Sequence, residues 1–65
     1  MKNELKVFRA KKDITQKELA TEMDVSRQTI NAIETGKYDP SLELALKLSD
    51  FFDRSVEDLF KLEDD

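Results

Sequence analysis

Arg27, Gln28 and Asn31 carry the hydrogen-bonding chemistry that stands out in this sequence. An arginine offers paired donors that match the acceptors on a guanine edge, and a glutamine amide offers the donor and acceptor that match adenine. At helical spacing these positions lie on one outward face, with Thr35 further along it and Ala32 on its flank. Such a surface reads chemical edges and breaks no bonds. The carboxylates of Glu18, Glu22 and Glu43 suit helix caps and solvated faces better than catalysis, because no pair of them comes with a nucleophile or a metal partner. The chain has no Cys and no His. Thiol nucleophiles, an imidazole base, disulfides and Cys/His zinc sites are therefore excluded. The expectation is a non-enzyme without metal or cofactor.

Two short helices and a tight turn must hold that face. Thr15 and Glu18 form a capping box in which the Thr15 hydroxyl accepts from the Glu18 amide while the Glu18 carboxylate reaches back. A helix over 16–23 follows, and Asp24 and Val25 break it. Ser26 caps the next helix, over 27–35, and Gly36 stands just past its end. Leu19, Ala20 and Met23 line one face of the first of these helices and Ile30 and Ile33 one face of the second, with Val25 in the turn. Ala20 is small where the two helices cross most closely. The unit is a helix-turn-helix, whose second helix can enter a DNA major groove.

The flanking segments read as more helix. Asn3 can cap a helix over 4–12, with Leu5 and Phe8 facing inward and Val7 left on the surface. Ser41 caps a helix over 42–52. Its seven apolar residues exceed one stripe, so burial on two sides is expected. Asp53 stops it, since Asp tolerates the left-handed conformation better than most residues. Ser55 caps a last helix over 56–60, and an acidic tail follows. One Gly and one Pro rule out a Gly-rich phosphate loop. The fold class is all-α, a compact five-helix domain spanning 1–65.

The net charge of −4 divides unevenly. Residues 1–37 hold 8 Lys/Arg and 6 Asp/Glu, a net of +2, and residues 38–65 hold 3 and 9, a net of −6. The basic groups thus accompany the helix-turn-helix, and the acidic half should point away from DNA. No stretch approaches a membrane span and the N-terminus has no apolar signal core, so a cytoplasmic protein is expected, nucleoid-associated when bound to DNA.

The motifs LKVFR, ITQKELA, VSRQTINAIETGKY, PSLELALKL and SVEDLF occur in order over Leu5–Phe60. In these the chain resembles the Cro/phage-repressor (xenobiotic-response-element) helix-turn-helix family, and in particular its small stand-alone regulators of the cytolysin-repressor type. The resemblance implies five helices, a recognition helix in the major groove and transcription control. It places Ser26, Arg27, Gln28 and Asn31 at positions that face bases. Gln16, Thr35, Lys37 and Tyr38 match positions that follow the DNA backbone. It also implies a partly buried ion pair between Arg9 and Glu34. Asp24 and Asp53 depart from the family by standing where it usually has Gly.

A core of this size is marginal, and one small footprint on DNA binds weakly, so a homodimer on a palindromic operator is expected. Phe52, Leu59, Phe60 and Leu62 are the candidate interface. The alternation over Phe60–Leu62 allows a short C-terminal strand pairing across the dimer. The function expected is a repressor of transcription on a double-stranded DNA operator, with no membrane partner and no small-molecule effector domain. The alternative is a protein-interaction module, such as the antitoxin of a toxin–antitoxin pair, acting through the acidic half.

Overall fold

A computed structural model describes residues 1–63, and Asp64 and Asp65 of the acidic tail lie outside the described residues. The order is β1 (Lys2–Asn3), α1 (Leu5–Lys11), α2 (Gln16–Met23), α3 (Arg27–Glu34), α4 (Leu42–Phe52), α5 (Val56–Leu59) and β2 (Phe60–Lys61). The five expected helices are present. Ser26, Ser41 and Ser55 each accept from the backbone N–H three residues on, and Thr15 and Glu18 close both bonds of their capping box. Helix α3 ends one residue earlier than expected, because Thr35 takes the C-cap position, and Gly36 follows at φ 77°.

The two strands form one antiparallel pair with Lys2 opposite Lys61 and Asn3 opposite Phe60. The C-terminal strand thus pairs with the chain's own N-terminus. One expectation is corrected: Phe60 belongs to that strand rather than to the last helix. Asn3 is a strand residue rather than the N-cap of α1, which is Glu4. Its amide nonetheless has two uses. Its oxygen accepts from the Leu5 N–H at 3.1 Å, and its nitrogen donates to the Ile33 carbonyl at 2.8 Å. That second bond ties the strand to the last turn of α3, sharing a carbonyl that also accepts from the Gly36 N–H at 3.0 Å.

The core is built from Leu5, Leu19, Ala20, Met23, Ile30, Ile33, Leu44, Ala45, Leu48, Phe52, Leu59 and Phe60. Ala20 is buried in this core. Helix α4 departs from expectation. Leu44, Ala45, Leu48 and Phe52 are buried on one face, but Leu42 and Leu46 are 75% and 54% exposed. The reason is length: α5 has four residues and is about 6 Å long, too short to cover a second face of α4. Val7, at 45% exposure, is the surface residue expected.

Helices α2 and α4 end on aspartates in the left-handed conformation, Asp24 at φ 58° and Asp53 at φ 55°, and Asp13 after α1 adopts the same at φ 56°. Each carries a backbone cost that glycine would not, and places a carboxylate beside a helix C-terminus, where the dipole disfavours it. Asp53→Gly is therefore expected to stabilise the fold by about 0.5–1 kcal/mol, the looser unfolded chain offsetting part of the gain. A thermal melt should move up by a few degrees. An unchanged or lowered midpoint would show that Asp53 makes a compensating interaction.

Candidate nucleic-acid interface

Helix α3 is held by its apolar side, with Ile30 and Ile33 buried against α2 and the core. Its opposite side is left in solvent: Ser26, Arg27, Gln28, Asn31 and Thr35 are all exposed. Ser26, Arg27, Gln28 and Asn31 line one shallow surface cleft. Arg27 also borders a neighbouring cleft with Thr15, Gln16 and Lys17, so the start of α2 and the start of α3 form a continuous surface. The Ser26 hydroxyl is engaged in capping, 3.1 Å from the Thr29 N–H and 3.0 Å from the Thr29 hydroxyl.

An ion pair fixes α3 to α1. Arg9 Nε donates to Glu34 Oε2 at 2.8 Å and Nη2 to Oε1 at 3.3 Å, while Nη1 donates to the Ile14 carbonyl at 2.9 Å. The Arg9 and Glu34 side chains are 16% and 4% exposed, so the pair is largely withdrawn from water. The hydrogen bond to Glu34 pushes the Arg9 pKa further above its already high value. The paired geometry is the bidentate arrangement that guanidinium and carboxylate favour.

Gln16 joins this pair to the exposed face. Its Nε2 donates to Glu34 Oε1 at 3.0 Å and to Asn31 Oδ1 at 3.1 Å. Both hydrogens of the Gln16 side-chain amide are thus in use, leaving its backbone N–H as its donor for a phosphate. Gln16 and Lys17 hold the first two positions of α2, where N–H groups have no intrahelical acceptor. Lys17 was not among the sequence candidates, and its place beside Gln16 in the first turn of α2 was the available signal.

At the other end of α3, Gly36 lets the chain turn back on the helix. The Lys37 and Tyr38 N–H groups both donate to the Ala32 carbonyl, at 2.9 and 3.2 Å. Both side chains are exposed next to the helix end. The Thr35 hydroxyl donates to the Asn31 and Ala32 carbonyls at 3.0 and 3.3 Å, so its hydrogen is spent inside the helix.

The structure does not bring the four dimer candidates together on a surface. Phe52, Leu59 and Phe60 are 7%, 0% and 7% exposed within a single chain, and only Leu62, at 80%, stands free. Phe52 packs its ring against Phe8 and Phe51, with centroids 6.3 and 5.0 Å away. Basic groups are also spent on these aromatics: Lys11 and Arg54 lie over Phe8, and Lys12 lies over Phe51.

A helix-turn-helix family model matches residues 5–59. An uncharacterized HTH-type transcriptional regulator of Methanocaldococcus jannaschii is 58% identical over 65 residues, covering 100% of this chain and 98% of that protein. One from Archaeoglobus fulgidus is 46% identical over 65 residues, covering 100% and 93%, and the Bacillus subtilis regulator YgzD is 46% identical over 65 residues, covering 100% and 98%. Family match and fold agree with the exposed polar face on α3: the chain belongs to the Cro/C1-type helix-turn-helix family of DNA-binding transcriptional regulators, which are not enzymes.

Proposed function

We propose that this protein is a sequence-specific repressor that binds a palindromic double-stranded DNA operator as a homodimer. The observation that carries the sequence-reading part is the exposed face of α3, where Arg27, Gln28 and Asn31 line one cleft while the apolar face of the helix is buried. In this reading Arg27 reads guanine and Gln28 adenine through bidentate hydrogen bonds. The phosphates meet the first-turn amides of α2 with Lys17 on one side of the recognition helix, and Lys37 with Tyr38 on the other. Repression follows from occupancy, because a bound operator that overlaps a promoter excludes polymerase.

Dimerisation draws on a different surface from the one expected. With Phe52, Leu59 and Phe60 inside the core, the exposed leucines available to meet a second copy among the described residues are Leu62, and Leu42 and Leu46 of α4, with Val7 of α1 also exposed. Two-fold symmetry would present two recognition helices to half-sites about one helical turn apart.

Arg27→Ala is expected to lose base preference at one position of the half-site, a change of about 1–3 kcal/mol in discrimination. Retention of the full wild-type preference would remove Arg27 from the groove. Lys37→Ala is expected to weaken binding on all sequences alike and to lower the slope of log K against log salt by about one. An unchanged slope would assign Lys37 to solvent.

A further inference from the structure

Glu34 is paired with Arg9, and a carboxylate so paired offers only acceptors. The Gln16 amide group facing it must therefore present its nitrogen, and the same nitrogen reaches Asn31. Whatever it meets there must accept, so the Asn31 amide is turned with its oxygen to Gln16. Its nitrogen, with two hydrogens, has no partner among the described residues. The Arg9 charge thus sets the orientation of an amide on the exposed face through a chain of three side chains.

Ordinarily an asparagine in the major groove pairs with adenine, accepting from N6 and donating to N7. That mode needs its oxygen in the groove. Here the oxygen is held by Gln16, and the end left over is a donor alone. Guanine presents two adjacent acceptors, N7 and O6, and no donor beside them in the major groove.

We propose that Gln16 is a positioning residue that locks Asn31 as a donor, so that the base read by Asn31 is guanine rather than adenine. The inference rests on the groove reading of α3. It gives Gln16 a role in specificity without contact to the base, and places Glu34 and Arg9 behind it as the source of the orientation.

The test measures binding of the intact protein to a duplex panel in which each base pair of its selected half-site is varied in turn. The pair read by Asn31 is the one at which Asn31→Ala loses discrimination. The wild type is expected to prefer guanine over adenine there by about tenfold, and to lose affinity when that guanine is replaced by 7-deazaguanine. Gln16→Ala is expected to collapse this one preference while leaving those at the bases read by Arg27 and Gln28 in place. A wild-type preference for adenine overturns the proposal without recourse to any variant. So does a Gln16→Ala protein that binds every duplex more weakly but keeps its preference for guanine, which is the result of a lost phosphate contact. Absence of base selectivity anywhere in the site overturns the groove reading along with the proposal, and is distinguished by the Arg27→Ala profile being flat as well.

Discussion

Replacing Glu34 by alanine is expected to destabilise the protein by about 3 kcal/mol, the lower end of what breaking a buried ion pair costs. For a domain of this size that corresponds to a fall in thermal midpoint of more than about 10 °C. The loss has three sources. The Arg9 guanidinium is left without its charge partner in a site only 16% exposed, the Gln16 amide loses an acceptor, and α1 loses its polar tie to α3. Small domains have only several kcal/mol in total, so this one substitution removes a large share. A double-mutant cycle with Arg9→Ala isolates the pair from the bond that Arg9 also makes to the Ile14 carbonyl. A melt of Glu34→Ala within error of wild type would show that the two charges act independently.

Leu59→Ala is expected to cost a similar amount, about 2–5 kcal/mol, because its side chain is fully buried and its deletion leaves a cavity. The same residue anchors the chain's two ends, since its carbonyl accepts from the Glu4 N–H at 2.8 Å. Leu62→Ala, at an exposed site, should change the stability of the folded chain by less than about 0.5 kcal/mol. Denaturant unfolding at two protein concentrations separates the roles. A core residue loses stability equally at both, whereas an interface residue loses more where the dimer is populated. A Leu59→Ala loss that depends on concentration would return Leu59 to the interface.

The parts of this fold that sequence made legible are those written by local chemistry. Capping residues mark the starts of four helices: Thr15, Ser26, Ser41 and Ser55. Their spacing fixes the helix-turn-helix, and Asp53 and Gly36 mark ends through the left-handed backbone that they tolerate. What was not legible depends on contacts between distant residues. The pairing of Lys2–Asn3 with Phe60–Lys61 joins segments nearly the length of the chain apart, and neither has a pattern long enough to announce a strand. The same pairing explains why Phe60 and Leu59 face inward. The exposure of Leu42 and Leu46 follows from the shortness of α5 and not from anything in α4 itself.

The exposed face of α3 was legible from the sequence, and the hydrogen-bonding state of its side chains was not. Arg27, Gln28 and Asn31 stand on the outward face that their spacing requires. Gln16 does not offer the free amide that its position suggested, because Glu34 and Asn31 claim both of its hydrogens. The charge count of the N-terminal half also overstated how many basic groups are without partners inside the fold. Arg9 is spent on Glu34, and Lys11 and Lys12 lie over Phe8 and Phe51. Lys17, Arg27 and Lys37 remain exposed around α3, and Lys2 lines a cleft with Thr35 and Gly36 at its end.

Selection of bound sites from a random duplex library at near-physiological salt is the decisive measurement for operator binding by a dimer. An enriched palindrome with half-sites about one helical turn apart is expected. Recovery of no enriched sequence, with only weak and salt-sensitive binding, would contradict it and turn attention to the exposed leucines of the acidic half as a surface for a protein partner.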